Sequence, residues 1–281
     1  LFRYLEQIFH PFLFGIRSNK KFFNLQEGKK IMVDFKKFNT FIFDLDGTVW
    51  NWVSLLPRAK EIIQKLKKEG KQVLFVSNNS MLCRKKMAEK LRSFGIELKD
   101  NDLITSSFVA ANYLKIKDAT AFPIGEGVKE ELEENGVKID ENKPEYLVVG
   151  QDLSFNYEKL MKAYEIVKNG AKILATARGK VYFEGEKLMP ATGVWVNAIE
   201  YITDKKAKLL GKPSNEMLET IQLFVCSPRK ETVLIGDECN SDIMTGKILG
   251  YYTILVKTGI DKEAKKIKPD LIIDSLEEIK I

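Results

Sequence analysis

Histidine is almost absent from this 281-residue chain: only His10 is present, close to the start. From residue 11 onward, acid–base chemistry therefore falls to carboxylates, lysine, tyrosine or cysteine. A Ser-His-Asp triad and a histidine-ligated zinc site are excluded. Cysteine is scarce as well. Cys83, Cys226 and Cys239 are odd in number, scattered and without a CxxC pair, which argues against a disulfide framework and for a reducing cytoplasm. No run reaches the eighteen or more apolar residues of a membrane span, so stable membrane insertion is not expected. Arginine is the rarer cation, seven against 38 lysines, a poor supply for bidentate reading of bases.

What remains is an ordinary globular balance, 44% hydrophobic and 30% charged, with enough apolar material for a core that needs no staples. The length fits one large domain or two modest ones. The net charge of +6 is mostly local. Residues 1–31 hold six basic and two acidic side chains, leaving the other 250 residues at only +2. That distribution gives no basic face for a nucleic-acid partner. Residues 1–31 are expected to be an N-terminal extension, dispensable and upstream of a start at Met32. The competing expectation is an amphipathic surface anchor with Phe2, Leu5, Ile8 and Phe12 on one face.

From Lys36 the pattern becomes regular. FNTFIFDLD (38–46) reads as a buried strand. Pro57 opens a helix whose Ala59, Ile62, Ile63 and Leu66 share a face, stopped by Gly70. QVLFVSNN (72–79) is the next strand, and a helix around 83–94 closes at Gly95. Strand, helix, strand, helix implies parallel strands with right-handed crossovers. The same grammar returns at 232–237, at a helix near 241–249, and at 251–256 and 270–274. Between these halves lie further strand-like runs, ATAFPIG, EYLVVG and AKILAT, and the helical EKLMKAYEIVKNG. The expected architecture is α/β: a Rossmann-like parallel-sheet core over 32–118 and 206–281, interrupted by a large inserted α/β cap over 119–205.

In open parallel sheets, ligands bind beyond the carboxyl ends of the strands, and the unusual polar residues fall there. DLDGT (44–48) places Asp44 and Asp46 at the first strand end, where a turn at Gly47 can swing both toward a crevice. SNNS (77–80), with Ser77 and Asn78, suits a phosphate oxygen at a strand-to-helix junction. Lys212 lies in GKP (211–213), and GDECNSD (236–242) carries Asp237 and Asp242. Taken singly, each cluster reads equally as turn formers or helix caps. The order is what discriminates. Asp44 to Ser77 spans 33 residues, the length of one βαβ unit, whereas Ser77 to Lys212 spans 135, which marks the insertion.

With its four motifs in this order, the chain resembles the haloacid dehalogenase superfamily of phosphohydrolases over residues 38 to 281. FDLDGTVW, SNNS, LVVGQDLSFNYEKL, GKPS and the long insertion are similar to the NagD-like, p-nitrophenylphosphatase branch. The resemblance implies magnesium-dependent hydrolysis of a small phosphorylated metabolite. Asp44 would be the nucleophile that forms an aspartyl-phosphate and Asp46 the general acid and base. Mg2+ would be held by Asp44, Asp237 and the backbone carbonyl of Asp46, with Asp242 acting behind them on waters or Lys212. Ser77, Asn78 and Lys212 would stabilise the transferring phosphoryl oxygens.

The cap departs from the branch pattern. Relatives carry Asn and, two residues later, Asp after the strand corresponding to AKILAT, where this chain has Ala177, Arg178, Gly179 and Lys180. Arg178 and Lys180 are the candidate contacts to a second anionic group on the substrate, with a solvated basic turn as the alternative. Cys239 is expected to be a packed residue rather than a reactive thiol. Relatives often dimerise through the cap, which leaves a cap-mediated homodimer open. Two rival functions share parts of the pattern: a phosphomutase using the same intermediate, and a non-catalytic regulator that binds phosphorylated metabolites. The large cap argues against the first, and the presence of Asp44, Asp46, Lys212 and Asp237 against the second.

Overall fold

The structure is a computed structural model that describes residues 33–264 and 266–280, so the expectations for residues 1–31 fall outside the described residues. In chain order the strands are β1 Thr40–Phe43, β2 Gln72–Ser77, β3 Leu103–Thr105, β4 Ala121–Ile124, β5 Tyr146–Val149 and β6 Lys172–Ala175. They continue with β7 Val181–Glu184, β8 Lys187–Pro190, β9 Lys208–Leu209, β10 Thr232–Gly236, β11 Tyr252–Val256 and β12 Leu271–Ile273.

The first sheet has the order β12-β11-β10-β1-β2-β3, and every pairing in it is parallel. The helix Ala59–Lys68 links β1 to β2 and buries Ala59, Ile62, Ile63 and Leu66, the face anticipated from their spacing. β1 is shorter than the apolar run suggests. After Phe43 the Asp44 N–H still reaches the Ile235 carbonyl at 2.9 Å. The Leu45 carbonyl then collects the N–H groups of Thr48, Val49 and Trp50 at 3.2, 2.8 and 3.0 Å, which turns the chain out of the sheet.

The inserted segment builds a second parallel sheet, β4-β5-β6-β9, and the antiparallel hairpin β7-β8. β9 lies past the expected cap limit at 205 and still pairs with β6 through Leu174↔Lys208 and Ala175↔Leu209. The returning chain thus satisfies the backbone along that sheet edge before it re-enters the core. The hairpin escaped the sequence reading because its strands are half-buried to exposed and carry no sustained apolar pattern.

EYLVVG is a continuous apolar run because both faces of β5 are covered. Tyr146 and Val148 join one apolar cluster with Ile42, Leu74, Ile104 and Leu234 of the first sheet. Leu147 and Val149 turn the other way, onto Ile166 and Val167 of the helix Tyr157–Lys168 and Ile199 of the helix Thr192–Thr203. The cap therefore shares a hydrophobic core with the sheet it covers. Among the described residues, no helix is long and apolar enough to cross a membrane.

Candidate active site

β1 lies between β10 and β2, in register Phe43↔Ile235 and Phe43↔Phe75. The chain leaves β1 toward β2 on one side and returns to β10 on the other, which makes the β1/β10 boundary the topological switch point. Asp44 directly follows β1 and Asp237 directly follows β10, so the register alone sets these two carboxylates side by side.

Lys212 enters from the segment between β9 and the helix Asn215–Phe224. Its Nζ donates to Asp44 Oδ1 at 2.6 Å, to Asp242 Oδ1 at 2.6 Å and to the Val76 carbonyl at 2.8 Å. All three donor sites of the ammonium are thereby used. Carboxylate oxygens of Asp44, Asp237 and Asp242 lie within 4.8 Å of one another, and all three residues are buried. Asp242 sits in a turn of π-helix, Cys239–Ile243, the kind of local distortion that recurs at functional sites. That turn brings its second oxygen, Oδ2, onto the Glu238 N–H at 3.0 Å.

Two glycines make the close approach feasible. A Cβ on Gly236 would stand 2.3 Å from Asp242 Cβ. Gly47 has φ +81°, and a Cβ there would stand 2.5 Å from Asp237 Oδ2. Either substitution would push a carboxylate out of the cluster.

Asp46 lines the same cavity as Asp44, Asp237 and Lys212. Its carboxylate accepts from Trp50 Nε1 at 3.1 Å and from Asn79 Nδ2 at 3.2 and 3.3 Å. Burial raises Asp46 from the usual carboxylate value to about 6, against the pull of the Asn79 and Trp50 hydrogen bonds. Asp44 and Asp237 are also pushed well above the carboxylate range, by burial first; Lys212 opposes the shift at Asp44, while Asp242 adds to it at both. Burial works against the charge of Lys212, yet Asp242 and Asp44 hold its value above that of a free lysine. Glu238 rises to about 7, through burial and then the Asp242 charge. Three carboxylates against one ammonium leave two negative charges uncompensated in a buried space, a demand for a further cation.

Asn78 acts on Lys212 through its backbone, accepting the Lys212 N–H at 2.7 Å and donating to its carbonyl at 3.3 Å. Ser77 is fully buried and does not line the cavity; its hydroxyl accepts the Asn79 N–H at 3.0 Å. Cys239 is packed as expected, with burial raising its thiol to about 12 and Asp261 adding to the shift.

The expectation for Arg178 and Lys180 requires correction: neither lines the cavity. The Arg178 guanidinium turns away to Glu200 Oε1 at 2.6 Å and the Ala207 carbonyl at 2.8 Å, pinning β9 to the helix Thr192–Thr203. Lys180 is exposed. The buried Glu200 captures the arginine that the sequence appeared to offer to substrate.

Asn79 and Trp50 are the functional side chains that sequence reasoning missed. Both lay in quoted motifs, SNNS and FDLDGTVW, but nothing in one dimension joins either to Asp46. Ser80 was missed as well. Its hydroxyl meets Thr176 Oγ1 at 3.0 Å and accepts the Gln151 N–H at 2.9 Å, stitching the core loop to the ends of β5 and β6.

A doubly wound core, a capping sheet and a carboxylate–lysine cluster at the switch point define a capped α/β enzyme. A sequence profile for haloacid dehalogenase-like hydrolases matches residues 41–138, and a HAD-hydrolase-like profile matches residues 209–279. The 5'-nucleotidase YutF of Bacillus subtilis is 33% identical, over 86% of this chain and 98% of its own. Phosphoglycolate phosphatase 2 of Arabidopsis thaliana is 31% identical, over 87% and 93%. Among solved structures, the p-nitrophenyl phosphatase of Archaeoglobus fulgidus superposes with a TM-score of 0.77 at 31% identity, covering 86% of this chain and 97% of that one. NagD of E. coli K-12 gives 0.76 at 27% identity, covering 86% and 98%. The chain belongs to the haloacid dehalogenase-like hydrolases, in their NagD-like, p-nitrophenylphosphatase branch, and is a phosphatase of small phosphate substrates.

Proposed function

We propose that this enzyme hydrolyses phosphate monoesters of small metabolites with Mg2+ bound, through a phosphoryl group held covalently on Asp44. The observation that carries the reading is the Lys212 ammonium set between Asp44 and Asp242 at 2.6 Å each, with Asp237 beside them. Lys212 occupies Oδ1 of Asp44, and among the described residues Oδ2 has no hydrogen-bond partner. Asp237 Oδ2 accepts from the Ile260 N–H at 2.6 Å, and its Oδ1 is likewise unpartnered among the described residues. An all-oxygen donor set with two uncompensated charges fits magnesium.

Asp44, Asp237 and the backbone carbonyl of Asp46 would hold the ion, while Asp242, with both oxygens engaged, orients Lys212. When bound, the ion supplies positive charge next to the phosphoryl oxygens. A carboxylate oxygen of Asp44 attacks phosphorus, and the bond to the leaving oxygen breaks. Protonated Asp46 gives its proton to that oxygen, for which a value near 6 suits it. A water then attacks the same phosphorus, Asp46 takes its proton, and the Asp44–phosphorus bond breaks to release phosphate. Lys212 stabilises the charge on the phosphoryl oxygens, and Asn78 fixes the Lys212 backbone. Ser77 keeps the Asn79 loop in place.

A reducing cytoplasm is the compartment that three unpaired cysteines support. Purified protein should release phosphate from p-nitrophenyl phosphate with magnesium, and acid quenching should trap a phosphoryl group on Asp44. Turnover in EDTA equal to that with magnesium would refute the metal assignment, and turnover with no trapped phosphoenzyme would refute the covalent step.

A further inference from the structure

Beyond the phosphate end, the cavity under the cap is walled by apolar side chains, including Met81, Val181 and Phe183, and by a few polar ones. Its charges are one-sided. Among the described residues that line it, Lys212 is the sole cation, and its ammonium is committed to Asp44, Asp242 and the Val76 carbonyl. Arg178, the nearest candidate for a second cation in sequence, is committed to Glu200.

The polar side chains divide into spent and unspent. Gln151 and Thr192 satisfy each other, the Thr192 hydroxyl donating to Gln151 Oε1 at 3.1 Å while Gln151 Nε2 donates to the Pro190 carbonyl at 2.9 Å. Two groups have no such partner. The Tyr182 hydroxyl is buried without a hydrogen bond. Glu238 has its backbone N–H on Asp242 and its carbonyl in the following turn, and among the described residues its carboxyl group has no hydrogen-bond or ion-pair partner. Glu238 and Tyr182 both line the cavity.

A buried polar group without a partner is costly until a ligand supplies one. What Glu238 lacks is a donor. In either protonation state its carboxyl group offers oxygen acceptors, while a second anion on the substrate finds no free positive charge to offset its desolvation. We propose that this cavity selects phosphate monoesters whose leaving group carries a hydroxyl or amine donor for Glu238, and discriminates against leaving groups that carry a second anion. The inference rests on the phosphatase reading above and names the substrate class of that same site. It separates this chain from a relative named for phosphoglycolate, whose leaving group carries a carboxylate.

Two matched series test it on the full-length enzyme with magnesium. One compares 2-aminoethyl phosphate, 2-hydroxyethyl phosphate and 2-phosphoglycolate; the other, of longer reach, compares glucosamine 6-phosphate, glucose 6-phosphate and 6-phosphogluconate. In at least one series, kcat/KM for the amine and hydroxyl members should exceed that for the carboxylate member by about tenfold or more. Glu238→Gln should shrink the amine-to-carboxylate ratio by about fivefold or more, a ratio taken within one enzyme and so independent of how much of it is folded. Carboxylate members turned over within about threefold of the others in both series would overturn the proposal; so would an unchanged ratio in Glu238→Gln. Failure of every substrate, p-nitrophenyl phosphate included, would instead overturn the phosphatase reading on which it rests.

Discussion

Asn78 grips Lys212 by the main chain, accepting its N–H at 2.7 Å and returning a hydrogen bond to its carbonyl at 3.3 Å. One side chain at the end of β2 thus sets the position of a lysine that follows the entire inserted cap. The pair joins the second and third motifs into one unit, and Asn78 Nδ2 also reaches Ser241 Oγ of the fourth at 3.2 Å. Asn78→Ala should therefore impair Lys212. The expected loss is about 10- to 100-fold in kcat, with Asn78→Asp recovering little because a carboxylate cannot donate to the Lys212 carbonyl. Steady-state kinetics of the two variants check this.

Asp44→Asn should abolish phosphoenzyme trapping, since a neutral amide is a poor nucleophile. The expected fall in kcat is about 1,000-fold or more, roughly 4 kcal/mol of barrier. Retention of a trapped phosphoryl group in this variant would move the nucleophile elsewhere.

Asn79 and Trp50 both lower Asp46 by hydrogen bonding to its carboxylate. Asn79→Ala removes one of these influences, so the Asp46 value should rise above about 6 and the alkaline limb of the kcat profile should move to higher pH. The direction follows because the general acid stays protonated further up the scale. A pH profile of the variant against the parent reads it directly, and a limb that stays put or moves down contradicts the role given to Asp46.

The uncompensated charge of Asp44, Asp237 and Asp242 gives magnesium a readout other than turnover. Added at about 100 times its Kd, the ion should stabilise the folded enzyme by about 2.7 kcal/mol, seen as a raised Tm that EDTA reverses. Asp237→Asn should lose most of that rise. An equal rise in the variant would remove Asp237 from the site.

Arg178 belongs to the architecture of the cap. Burial alone would raise Glu200, but Arg178, the Ala207 N–H and Lys206 hold it down at about 2. A folded value below the ordinary 4.5 means that the contribution is complete above about pH 4.5 and fades as the pH falls toward 2. Its size is on the order of 2 kcal/mol, given the partial exposure of Arg178. Glu200→Gln should destabilise the protein by that amount at pH 7 and by less than half of it at pH 3, measured by denaturant unfolding. Arg178→Ala should lower activity in parallel on small and large substrates, where a substrate contact would single out the dianionic ones.

The parallel core, the inserted cap and the four motif clusters were all legible in one dimension. Helical and strand periodicities are local, and the crossover rules turn their order into a sheet with its ligand crevice at the strand ends. The face of the helix Ala59–Lys68 followed in the same way from spacing alone. Which polar groups meet was another matter, because hydrogen bonds between distant segments depend on angles and distances that no spacing encodes. Arg178 had the charge to bind an anion, yet Glu200 lay closer to hand. Asn79 and Trp50 became the keepers of Asp46 only once the turn after β1 folded back beside the end of β2. Glu238 showed its unpartnered carboxyl group only when the cap closed over it and every cation nearby had found another carboxylate. Chain order determined where the chemistry would be; burial and the competition among charges, which exist only in the folded molecule, decided which side chains remained free to perform it.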